Sequence, residues 1–160
     1  MGFNVNKNQK GLTLTELLVV AATLIILMTL AISRYPVQVN KGFDAKRMGD
    51  LYHVKVALDE FEKDNNCYPT SLPVCTPGDG LAPYMNKIPC DPRTNENYHY
   101  FADNLTSCPR WFWLFTKLDW EEHPKISELG CQNGCGEDAS NLIYNYYISS
   151  DNAPEPTKGH

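Results

Sequence analysis

The sequence predicts an α+β fold: one long N-terminal α-helix, half apolar and half amphipathic, packed against a small antiparallel β-sheet. Three observations predict it. No charged side chain occurs from Leu17 to Ile32. The apolar residues Met48, Leu51, Val54, Leu58 and Phe61 then recur at helical spacing. Aromatic and β-branched runs come only late in the chain, between segments rich in Asp, Asn, Gly and Pro. A length of 160 residues suits one modest domain beyond the apolar segment.

Residues 1–11 form a short leader with Lys7 and Lys10 and no acid. Residues 12–34 are the apolar half of the helix, near the roughly 20 residues that span a bilayer. The basic end would stay on the cytoplasmic side. An ordinary secretory signal has a shorter apolar core and a small-residue cleavage pattern after it. Neither is found here. Glu16 stands at the front of the run, where a carboxylate in hydrocarbon costs roughly 2.5–3.5 kcal/mol, so the sequence calls for a partner. Arg34 and Tyr35 are residue types of membrane edges, and Pro36 predicts a kink or local melting near Ile32. Residues 35–66 continue as an amphipathic helix, with Asp44, Lys46, Arg47, Asp50, Lys55, Asp59, Glu62 and Lys63 on faces other than the apolar one. Asn65, Asn66 and Pro69 end it.

Residues 67–97 are dense in proline and glycine and read as an ordered loop. Within residues 98–150, "YHYFAD", "RWFWLFTKL" and "NLIYNYYIS" are strand candidates for a sheet laid over the apolar face of the Phe43–Phe61 helix. In the run Trp111, Phe112, Trp113, Phe115, alternate residues are expected to pack on the helix. The others are then partly exposed or covered by a neighbouring subunit. Residues 151–160 read as an exposed, mobile tail.

Cys67, Cys75, Cys90, Cys108, Cys131 and Cys135 all follow the apolar segment. Their even number in an exported portion favours disulfides, and six cysteines leave fifteen pairings open. No CxxC pair is present and the four histidines are scattered, which disfavours zinc. The acidic stretch Gly134–Asn141 reads as a solvated loop pinned by a disulfide, and the "NLT" at Asn104 as an unused glycosylation pattern. A net charge of −5 without a basic stripe gives no expectation of nucleic acid as a partner. No GxSxG, HExxH or phosphate-binding glycine loop is present, so no enzyme activity is proposed.

The segment "KGLTLTELLVV" resembles the processing site of type IV pilins and type II secretion pseudopilins: a basic leader, a glycine, and a Glu five positions into the mature chain. The resemblance implies cleavage after Gly11 by a prepilin peptidase, a new N-terminus at Leu12 where the family usually has Phe, and N-methylation there. The new α-amino group, with an ordinary pKa near about 7.7–8, supplies a cation in the same membrane layer as Glu16. The resemblance further implies that Glu16 meets the amine of a neighbouring subunit and sets axial register in a filament. That filament is a homopolymer or a copolymer of related subunits, built by an inner-membrane assembly platform. The fold implied is pilin-like. The subunit would be single-pass in the cytoplasmic (inner) membrane before assembly, held by the lipid bilayer, and part of an extracytoplasmic or cell-surface filament afterwards. "DNNCYPTSL" and "YMNKIPCDPRTNENYHYFAD" are similar to the helix end and the following loop of G-type major pseudopilins. That likeness implies a calcium loop after the last strand, for which Ser150 and Asp151 are the candidate ligands; no other cofactor is implied. The alternative in another class is a monomeric membrane-anchored extracytoplasmic receptor, binding its ligand on the Trp111–Phe115 surface.

Overall fold

In a computed structural model of the chain, residues 11, 13–75, 80–103, 107–137 and 141–156 are described. The chain divides into two compact units, Met1–Gln38 and Val39–His160. The 52-residue helix α1, Leu14–Asn65, contributes to both. A long apolar helix and a small antiparallel sheet are therefore both present.

In the first unit, α1 exposes every apolar side chain from Leu14 to Ile32, because none of the described residues covers them. The helix does not stop at Pro36, which lies inside it. Local melting near Ile32, one of the two outcomes the proline predicts, is absent from the helical pattern. Its far end matches the sequence. Asn66 takes a positive φ of 57° and its N–H bonds the Glu62 carbonyl at 2.7 Å, a left-handed cap of the kind that Asn adopts.

In the second unit, the head, α1 packs against a sheet of order β1-β2-β5, with β1 His99–Ala102, β2 Phe112–Thr116 and β5 Tyr146–Ser149, all antiparallel. Leu51, Val54 and Leu58 of the helix join Phe112 and Leu114 of β2 and Tyr68, Ile88 and Tyr98 of the loops in one core. The expectation for the aromatic run is corrected on its other face. All five β2 side chains are buried, and Trp113 and Phe115 are covered by this chain's own Tyr144, Tyr147 and Ala153. A strand buried on both faces reads as a continuous apolar run, as "FWLF" does.

The third strand candidate splits. Ile143–Tyr144 is β4, paired with β3 Gly136–Glu137, and only Tyr146–Ser149 joins the main sheet as β5. Asn145 makes the break: its side chain accepts from the Leu118 N–H at 2.7 Å and donates to the Leu118 carbonyl at 3.1 Å, standing in for a strand neighbour. Gly136 is required by close approach, since a Cβ there would lie 2.7 Å from the Phe115 ring. A short helix, α2 Pro124–Glu128, was not expected; five residues are too few to show periodicity. β5 is an edge strand. Because the Ser150 N–H donates to Phe112, the Ser149 carbonyl points away from β2, and there it accepts the Lys55 ammonium at 2.7 Å.

Three disulfides pin the head: Cys67–Cys108, Cys75–Cys90 and Cys131–Cys135. The first closes a separation of 41 residues and the last only 4. Replacing Cys67 and Cys108 together by Ser is expected to cost about 2–5 kcal/mol, more than losing the Cys131–Cys135 ring, because the longer closure removes more freedom from the unfolded chain. Urea denaturation of the two double variants, beside a non-reducing peptide map, checks both pairing and ranking.

Candidate functional site

Two groups of side chains carry the chemistry. The first is at the start of α1. Gly11 is exposed, outside any element, with nothing within 4 Å of where a Cβ would be. Leu12, like Lys7, Lys10 and Asn104, lies outside the described residues. Thr13 and Glu16 bond reciprocally. The Thr13 N–H and hydroxyl both donate to Glu16 Oε2 at 2.9 Å, and the Glu16 N–H donates to Thr13 Oγ1 at 3.2 Å. This is a capping box, which satisfies helix donors that have no partner within the helix. Sequence reasoning missed Thr13, although the spacing Thr13-x-x-Glu16 before an apolar run carries that signal. Directly behind it, Leu14–Ile32 is long and apolar enough to cross a membrane by length and composition.

The second group lies in the head and corrects the placement of charges on α1. Asp44, Arg47 and Asp50 are buried, not on an outer face. Positions 44, 47, 51, 54 and 58 form one helical stripe, so two charges extend the apolar face into the core. Arg47 Nε donates to Asp91 Oδ2 at 2.7 Å and Nη2 to Asp91 Oδ1 at 3.2 Å. Its Nη1 donates to Asp119 at 2.7 Å and to Asp44 at 2.9 Å. Asp44 in turn accepts the backbone N–H groups of Asp119 and Trp120. One guanidinium thus fastens the helix to the loop after Cys90 and to the turn after β2. Burial opposes the charge on Arg47, but the bonds and charges of Asp91 and Asp119 outweigh it and hold the guanidinium above its ordinary range. Burial likewise pushes Asp91 and Asp119 upward, and Arg47 overcomes it, assisted by backbone N–H groups at Asp91 and by Arg93 at Asp119, so both carboxyls stay below the usual range. Among the described residues, every buried side-chain nitrogen and oxygen has a hydrogen-bond partner.

A groove of about 800 Å³ opens beside this cluster, with Ser71, Asn97, His99 and Lys117 on its walls. Its charges are of mixed sign. The His99 ring stacks on Tyr144, with centroids 5.3 Å apart.

The candidate calcium ligands are engaged within the protein. Ser150 Oγ accepts from the Phe112 N–H and is buried, while Asp151 pairs with Lys55 at 2.9 Å. Among the described residues no three His, Cys, Asp or Glu side chains converge as metal ligands do. All six cysteines lie in the three disulfides. The aromatic run offers no open platform, because Phe112, Trp113 and Phe115 are covered. Compared with protein families, curated proteins and solved structures, the chain matches none.

Proposed function

We propose that the chain is a structural subunit of a type IV pilus-like or type II secretion pseudopilus filament, released from its leader by cleavage after Gly11 and polymerised through α1. One observation carries the reading: a carboxylate, Glu16, is fixed in the first turn of α1, at the front of the exposed apolar stretch Leu14–Ile32 that holds no other charge, a few residues after an accessible glycine. An exposed run of this length needs lipid before assembly and other subunits afterwards. The fixed carboxylate needs a cation in the same layer, and a new N-terminus at Leu12 supplies one. On this reading the partners are a prepilin peptidase, an inner-membrane assembly platform, the bilayer and further subunits. The precursor spans the membrane once, and the head faces outward.

Gly11→Trp is expected to leave the leader attached in essentially all molecules, while unaltered protein begins at Leu12. Intact-mass spectrometry of both proteins from cells that contain the peptidase checks this. A Gly11→Trp protein of mature length refutes the cleavage site.

A further inference from the structure

Residues 150–154, after β5, are bonded to the sheet and its flanks. Asn152 Nδ2 donates to the Arg110 carbonyl at 2.8 Å, the Ala153 N–H donates to the Ser150 carbonyl at 3.1 Å, and the Trp113 indole N–H donates to the Pro154 carbonyl at 2.8 Å. Ala153 rests on the cluster of Trp113, Phe115 and Tyr144. Burial, and then the charge of Glu155, raise the Tyr147 phenol. The chain therefore turns through Asp151 and Asn152 and carries Ala153–Pro156 over an aromatic floor, with a tryptophan N–H bonded to a proline carbonyl. The anchors of this segment, Arg110 and Trp113, are some 40 residues away in sequence, where no local pattern shows them, and residues 157–160 of the expected mobile tail lie outside the described residues.

This is the chemistry by which aromatic grooves take proline-rich strands: proline presets the extended backbone, the rings supply area, and an indole N–H fixes register. We propose that the face of β2 away from α1 is a docking site for a proline-bearing peptide, occupied here in cis by Asn152–Pro156. Two features make it a site and not only a seam. Trp113 is 3% exposed, yet Pro154 and Glu155 above it are themselves exposed, so the cover is one strand thick and open to solvent. The cover reaches this face through two hydrogen bonds, Asn152 to Arg110 and Trp113 to Pro154, and segments so lightly held open at far smaller free energy than a core does. When it lifts, a peptide of the same chemistry meets the same donors and rings.

The test uses the full chain, solubilised, with the blocked peptide Asp-Asn-Ala-Pro-Glu-Pro as probe. Ala153→Asp sets a charge against the aromatic cluster and loosens only the strap. Tryptophan emission is expected to shift to the red, and the peptide to bind saturably and reverse the shift. Unaltered chain should bind at least about tenfold more weakly, because its own strap competes at high effective concentration. Adding Trp113→Phe should weaken peptide binding about fivefold by removing one hydrogen bond, and replacing both prolines of the peptide by alanine should weaken it further. A second variant, a chain ending at Ser150, repeats the measurement without the strap. The proposal is overturned by absence of saturable binding to Ala153→Asp, whether or not the shortened chain folds. Equal binding to the unaltered and opened chains, or equal binding of the alanine peptide, also overturns it.

Discussion

Arg47→Met is expected to destabilise the head by about 3–5 kcal/mol, the range for removing one member of a buried ion pair and stranding its partners. Methionine fills similar volume, so little of the loss comes from a cavity. The loss comes from Asp44 and Asp91, which are left without a cation, and from Asp119, which keeps only the half-exposed Arg93. Arg47→Lys should fall between the two, since an ammonium retains the charge but cannot present the fork that Asp91 accepts through Nε and Nη2. The pH dependence distinguishes this mechanism from simple loss of packing. In the unaltered protein the folded-state values of Asp91 and Asp119 are lowered, so the unfolded chain binds more protons in acid. Their contribution is complete above about pH 3.9 and is lost as the pH falls through the folded-state values. In Arg47→Met the Arg47 part of that lowering at Asp91 and Asp119 is gone, so the variant's deficit is largest above about pH 3.9 and shrinks in stronger acid. Urea denaturation at several pH values reads both. A deficit equal at pH 3 and pH 7 would show that the charges do not matter.

Glu16→Gln and Glu16→Ala together separate two roles for one side chain. Glutamine accepts the Thr13 bonds and can replace glutamate in a capping box, whereas alanine cannot. Neither carries charge. On the filament reading both variants are inserted and cut after Gly11, yet both fail to assemble, because the amine of the next subunit finds no anion. With the charge worth roughly 2.5–3.5 kcal/mol in the membrane layer, correct pairing should weaken on the order of a hundredfold. Electron microscopy of sheared surface material from cells expressing each variant gives the answer. Normal filaments from Glu16→Gln would reduce Glu16 to a helix cap and remove the electrostatic argument for assembly.

Much of the architecture is legible because it repeats. The helix shows its face every three or four residues from Met48 to Phe61, its end is marked by Asn66, and two strands stand out as aromatic runs. What escapes is pairing between distant segments. Arg47 looks like one charge among several on an amphipathic helix, and only the loop carrying Asp91 and the turn carrying Asp119 make it a core residue. The spacing that aligns Asp44 and Arg47 with Leu51 is visible in the sequence, but their charge argues for an outer face. Asn145 similarly sits inside a strand-like run, and nothing local tells that Leu118 will take its amide. At the front of α1, the exposed glycine and the acid behind it were legible. Thr13 passed unnoticed because Glu16 was read as seeking a distant partner, while a near one lay three residues away.

The ammonium that Lys55 sets on the Ser149 carbonyl has a consequence for crowding. Wherever many identical domains are held side by side at high local density, a bare strand margin invites the next domain to zip onto it and start an amyloid-like stack. A cation parked on that margin makes such an approach electrostatically and sterically poor. Close neighbours are thereby steered toward contacts made by side chains, and sheets stay separate.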